Sequence, residues 1–358
     1  MEYCNTSCNH EENTLHSDYH RYIGKKIAFI GISISILIAL FFYSLSVGNA
    51  DLTITEIINS ILGFETENIH TPQVIWELRI PRAIAAIVAG IALSVSGVVL
   101  QSILRNPLGS PYTLGISHAA AFGATLAILA SGRGWMGWLF ELPYTVTIFA
   151  FIFSLISTLT ILAIAKYRNA TPEVLILTGV ALSSLLTAAT MLLQYFADDT
   201  ELPEIVFWTF GDLGRAYWEC IFIMAIITIL STAYFVYNRW NYMAIDAGDE
   251  TAKGLGVNVE RIRLFGMLVA SLATAAAVSF LGIIGFIGLV CPHIARRFVG
   301  DDQRYLIPAA CVVGALLLLA SDIVSRMVIA PYVLPVGIIT AFMGAPLFLY
   351  LLVRGYRN

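Results

Sequence analysis

Apolar residues run in long blocks along this chain, and polar residues collect between them. Runs of about 17 to 25 apolar residues are long enough to cross a bilayer as helices. Ten such runs stand out, at roughly 27–47, 83–104, 114–130, 145–164, 174–196, 221–236, 264–280, 283–298, 306–320 and 336–353. The seventh and eighth are parted by Leu281-Gly282 alone. The pattern predicts an all-α integral membrane protein of about ten transmembrane helices, and an even number places both termini on one side. Between the first two runs, Leu52, Ile54, Ile57, Ile58, Ile61 and Leu62 recur at near-helical spacing. They predict a short amphipathic helix lying at the interface.

Charge then orients the bundle. With the N-terminus inside, the inner segments hold 15 of the 20 Lys and Arg residues. The outer segments hold Arg79, Arg82, Arg133, Arg215 and Arg326. The positive-inside rule therefore makes both termini cytoplasmic. Charged residues are 12% of the chain and apolar ones 58%, about half the charge of a soluble domain. No basic, aromatic-interleaved patch suggests nucleic acid.

Residues 1–26 form a polar tail, expected to be disordered, and 27–355 a single membrane domain. The first run exceeds the core of a signal peptide and reads as a retained span. Cys4 and Cys8, with nearby histidines, are too irregular for a zinc finger, and no metal site is expected. The longest polar stretch between spans, 238–263, leads with Asp249 and Glu250 and continues through Lys253, Gly254, Leu255, Gly256 and Arg261. That order suits two short helices split at the glycines. Gly282, Gly285 and Gly288 lie three apart, as on one helix face stripped for close packing, or as backbone bordering a cavity.

Several motifs occur in a telling order. Arg79-x-Pro-Arg82, Ser96-Gly97, Gln101 and Arg105-Asn106-Pro107-Leu108 come first. Leu255-Gly256 with Arg261 follows, then Gly282 to His293 with Pro292 inside it, Asp322 to Arg326, Leu334 to Gly337, and Gly344-Ala345-Pro346. Across about 27–355 the chain resembles the FecCD family, permeases of ABC importers for iron chelates, haem and vitamin B12.

The resemblance implies a vitamin B12 permease-like fold and partners. A second copy, two ATP-binding subunits and an extracytoplasmic substrate-binding protein would join this chain around a metal chelate. Arg79, Arg82 and Arg326 would dock the binding protein, through guanidinium forks suited to carboxylates. Residues 246–263 would couple to the ATPase. Asn169 and Thr171 would sit at the inner gate, and Thr178, Ser183 and Thr187 on the path. Hydroxyls that bond back to their own helix are the plainer reading of those three. His118 departs from the family pattern, and His293 is expected to orient the end of the eighth span.

No Gly-x4-Gly-Lys-[Ser/Thr] occurs, so the chain is not expected to be an enzyme or to bind a cofactor. ATP and Mg would belong to the partner. An ion-coupled transporter would bury carboxylates in mid-span, whereas Glu173 and Asp322 lie at span ends. A membrane enzyme would need paired carboxylates or a metal-ligand set, and neither is evident. The favoured cargo is a ferric siderophore, with cobalamin or haem as alternatives, moved inward across the cytoplasmic membrane.

Overall fold

The computed structural model describes residues 2–48, 52–66, 69–132, 144–167 and 171–355. It contains helices throughout and no strand among those residues. The helices are α1 (Glu2–Ser46), α2 (Ile54–Leu62), α3 (Thr71–Leu104), α4 (Ile116–Gly132), α5 (Thr145–Tyr167), α6 (Pro172–Tyr195) and α7 (Glu201–Thr209). They continue as α8 (Trp218–Tyr237), α9 (Arg239–Asp246), α10 (Asp249–Gly254), α11 (Val259–Leu281), α12 (Ile287–Val299), α13 (Gln303–Met327) and α14 (Val336–Gly355). Seven are long and apolar enough to cross a membrane: α1, α3, α5, α6, α8, α11 and α13. Apolar α4 and α14 and the 13-residue α12 complete the ten expected. The first helix is continuous from Glu2, so the polar tail extends the first span.

α3 is the axis of the bundle. Its run from Ile80 to Leu104 is buried on nearly every side, as a helix apolar all round should be. α8, α11, α12 and α13 surround it. Small residues on its outer half allow this crowding: Ala83, Ala85, Ala86, Ala89 and Ala92 are buried, and Gly90 meets Gly314 of α13 backbone to backbone. Gly97 meets Gly288 of α12 in the same way. Without a hydrophobic driving force between helices, such close approach is what holds spans together in lipid. α4, α5 and α6 form a second group beside this core, and α1 packs on α13.

The basic ends gather on one side, as the charge count predicts. There the Lys26 ammonium lies over the Tyr305 ring, and Arg304 lies over Trp240. Arg263 pairs with Asp249. On the opposite side α2 is the expected amphipathic helix. A Thr53–Glu56 capping box starts it, Gly63 ends it, and Ile57 packs with Leu45, Ile75 and Ile80.

The glycine stripe does not exist as one helix face. Gly282 ends α11 at φ +78°, residues 282–285 run without helix, and Gly288 belongs to α12. The backbone at Gly282 sits in the left-handed region that breaks a helix, and this counts against the reading from spacing. Gly288 does serve packing, whereas Gly285 has nothing packed on it and borders a cavity.

Candidate functional site

At the outer end, the three predicted arginines turn inward. Arg79 and Arg326 are 6% and 7% exposed. Arg82 Nε donates to Asp322 Oδ1 at 2.7 Å, and Arg326 Nη2 lies 2.8 Å from Asp322 Oδ2. Asp322 is fully buried. Arg326 Nη1 also donates to the Ser44 and Val47 carbonyls at 2.9 and 2.8 Å, and Arg79 donates to the Leu45 carbonyl. Two guanidinium groups thus cover the open carbonyls at the end of α1, where a helix terminus favours positive charge. Arg82 additionally approaches Asp212 at 3.6 Å. As placed, the cluster joins α1, α3 and α13. The sequence placed the three residues on one side, and burial by Asp322 was not foreseen.

At the middle of the bundle, three stretches of irregular backbone meet. They are 106–115 after α3, 210–212 after α7, and the 282–286 link between α11 and α12. Asp212 N–H donates to the Leu281 carbonyl at 2.8 Å, and Gly337 N–H to the Gly211 carbonyl at 3.3 Å. The position of the 282–286 link is fixed by α14: Phe286 lies against Gly344, near the midpoint of that helix. At 1.5 Å per residue this is about 12 Å from its start and about 16 Å from its end. Unpaired backbone at such depth is tolerated where it is packed in protein or lines a cavity.

A cavity is there, of about 730 Å³. Ser110, Tyr112 and Thr113 line one wall, Phe210 and Phe286 another, and Gly337 to Pro346 of α14 the third. Among the described residues, none that lines it is charged. His118 lies behind this wall, its ring 4.8 Å from that of Tyr112.

The path residues on α6 do not line this cavity. Ser183 donates to the Gly179 carbonyl at 2.7 Å, the local bonding that is the plainer reading of such hydroxyls. α6 instead backs the cavity wall, with Gly179 on Leu114 and Ser183 on Gly115. Thr171 caps α6 through Val174 N–H, and Asn169 lies outside the described residues. The outward side of α6 carries exposed Leu177, Leu185 and Leu192.

At the inner end, α9 and α10 are two short helices, as expected, but they part at Gly248. Gly256, at φ +82°, makes the turn into α11, while Gly254 is the last helical residue of α10. Ala244, Ile245, Ala252 and Val259 form a small core beneath. Glu250, Lys253, Leu255 and Arg261 face outward, with Leu255 70% exposed. Asp249 differs, since Arg263 takes its carboxylate at 2.9 and 3.1 Å. Gln101 accepts from Arg296 Nη1 at 3.2 Å. Asn106 accepts from Leu108 N–H, and Pro107 from His293 Nε2 at 2.9 Å, which orients α12 as expected. Pro292 is buried inside α12.

Comparison with known proteins matches this architecture. A protein of Methanocaldococcus jannaschii named as an ABC transporter permease is 55% identical over 347 residues, 95% of this chain and 98% of that one. The hemin transport system permease of Yersinia pestis is 36% identical over 296 residues, covering 80% of this chain and 86% of that one. Among solved structures, an inward-facing metal-chelate type ABC transporter superposes with a TM-score of 0.79 at 30% identity, over 91% of this chain and 98% of that one. The model of the FecCD transport family matches residues 36–354. With that match across nearly its whole length, the chain belongs to the FecCD transport family.

Proposed function

We propose that this chain is the permease of a binding-protein-dependent ABC importer, carrying an iron chelate inward across the cytoplasmic membrane. The observation that carries the reading is the uncharged cavity lined by irregular backbone and α14 at mid-bundle. Helix breaks are costly in lipid and belong where a pathway needs exposed backbone. The cargo follows from the hemin and metal-chelate relatives. Energy comes from a separate ATPase subunit that holds ATP and Mg, because the chain carries no phosphate-binding loop. Its docking surface is the outward side of α9–α10 around Leu255. Two copies pair through exposed apolar helices, and a soluble binding protein delivers the chelate from outside. Coupling to protons or sodium is disfavoured: Asp322 is held by two arginines and is not available as a relay.

A haem-type chelate is the second reading. Tyr112, Phe210, Phe286 and Phe342 give the cavity aromatic faces suited to a planar ring system. Uptake of labelled ferric siderophore, haem and cobalamin, in cells with and without the gene, tests both. Selective loss of siderophore uptake supports the first reading and selective loss of haem uptake the second. Unchanged uptake of all three counts against the importer.

A further inference from the structure

Polar links fasten the inner segment to the last turn of α3. Arg263, 3% exposed, donates from Nε to the Ile103 carbonyl at 2.8 Å and from Nη2 to both Asp249 oxygens. Asp246 accepts from Ser102 Oγ at 3.2 Å and from Gln303 Nε2 at 2.9 Å. Gln303, itself buried, also donates to Ser102 Oγ at 2.8 Å. One end of each link is therefore α9 or α10, and the other is residue 102 or 103. α3 ends one residue later. The chain turns at Arg105, in the left-handed region at φ 45°, and enters 106–113, where Ser110, Tyr112 and Thr113 line the cavity. α12 is tied to the same place through Arg296–Gln101 and His293–Pro107.

Buried, bonded side chains have two states, made or broken, and do not stretch. A push on α9–α10 is therefore passed to residues 102 and 103 as long as these bonds hold. The next element along the chain is the cavity wall. We propose that Arg263, Asp246 and Gln303 are positioning residues that convert movement of α9–α10 into displacement of segment 106–113, opening or closing the inner mouth of the cavity. This rests on the permease reading above, which supplies the partner that moves α9–α10.

The test uses the permease–ATPase complex in lipid nanodiscs, in a background with all five native cysteines replaced and Ala345→Cys introduced on the cavity wall. The readout is the maleimide labelling rate at that cysteine with and without ATP, beside ATP hydrolysis on the same sample. Arg263→Lys keeps the charge but loses the fork that reaches Ile103 and Asp249 together, and Gln303→Met removes both amide bonds at similar volume. In each, the ATP-dependent change in labelling should shrink by about tenfold while hydrolysis continues. A purely structural role would lower assembly and leave the change intact in whatever complex forms. ATP-dependent labelling equal to that of the unsubstituted complex overturns the proposal, and if Arg263→Lys fails to assemble, Gln303→Met decides. Failure of any ATPase subunit to associate with the unsubstituted chain overturns the permease reading instead, and the conversion with it.

Discussion

Asp322 shows how a single carboxylate can set the character of one end of the molecule. It is fully buried between Arg82 and Arg326, and removing one partner from a buried pair leaves an uncompensated charge at a cost of about 3–5 kcal/mol. Asp322→Ala should therefore lower the melting temperature of the detergent-solubilised protein far more than a surface substitution. An unchanged melting curve would mean that the cluster does not hold α1, α3 and α13 together. At the other end Asp302 caps α13 through Arg304 N–H, and its hydrogen bonds with the Arg304 side chain hold its carboxyl below the ordinary value. A depressed carboxylate stabilises the fold above its unfolded pKa, and that gain is lost as pH falls through the folded value. Asp302→Asn keeps a capping oxygen but should flatten the loss of thermal stability on moving from pH 7 to below pH 4; an identical acid profile would rule out this contribution. Sequence reasoning put Arg79, Arg82 and Arg326 at one end of the bundle, where the structure gathers them. It missed the inward turn of Arg79, Arg82 and Arg326, because a count of charge says nothing of the acid that will meet it.

Among the elements, helices were the most legible and breaks the least. Each of the ten apolar runs falls on a helix, since lipid leaves each run one way to satisfy its backbone, although the first and second helices begin well before theirs. Gly282, Gly285 and Gly288 do not share one helix face, because three-residue spacing is common to a helix face and to a chain that is leaving one helix for another. Gly288 serves packing and Gly285 borders the cavity. Their close neighbours separate the roles. A methyl on Gly97 would overlap the Gly288 carbonyl, whereas nothing lies within 4 Å of one on Gly285. Gly97→Ala should thus destabilise by about 1–3 kcal/mol through overpacking, while Gly285→Ala should melt within about 0.5 kcal/mol of the parent. Equal effects from the two would contradict the packing described for α3 and α12. The cavity itself could have been suspected from Gly211, Gly282 and Gly337, but nothing in their positions says that these segments meet.

For the whole molecule, the uncharged cavity is the feature on which transport would depend. Phe342 lines it from α14 and is 77% exposed, so Phe342→Asp puts a carboxylate in the passage without disturbing the buried core. Melting should shift little, while uptake of an anionic chelate should fall by about tenfold or more, the effect of a barrier near 1.4 kcal/mol. Retained uptake would place the route elsewhere. The membrane spans were readable from apolar length. The pathway was not, because it is made by residues that are far apart in the chain and individually bland.

The bonds from Arg326 to the end of α1 have a bearing on biogenesis. Arg326 lies 282 residues beyond Ser44, so at about 5–20 residues per second the ribosome makes the two ~15 to 55 seconds apart. Throughout that interval the first helix sits in the bilayer with those carbonyls still waiting for Arg326. Its final seating is therefore one of the late events of assembly, although it is the first span to be made.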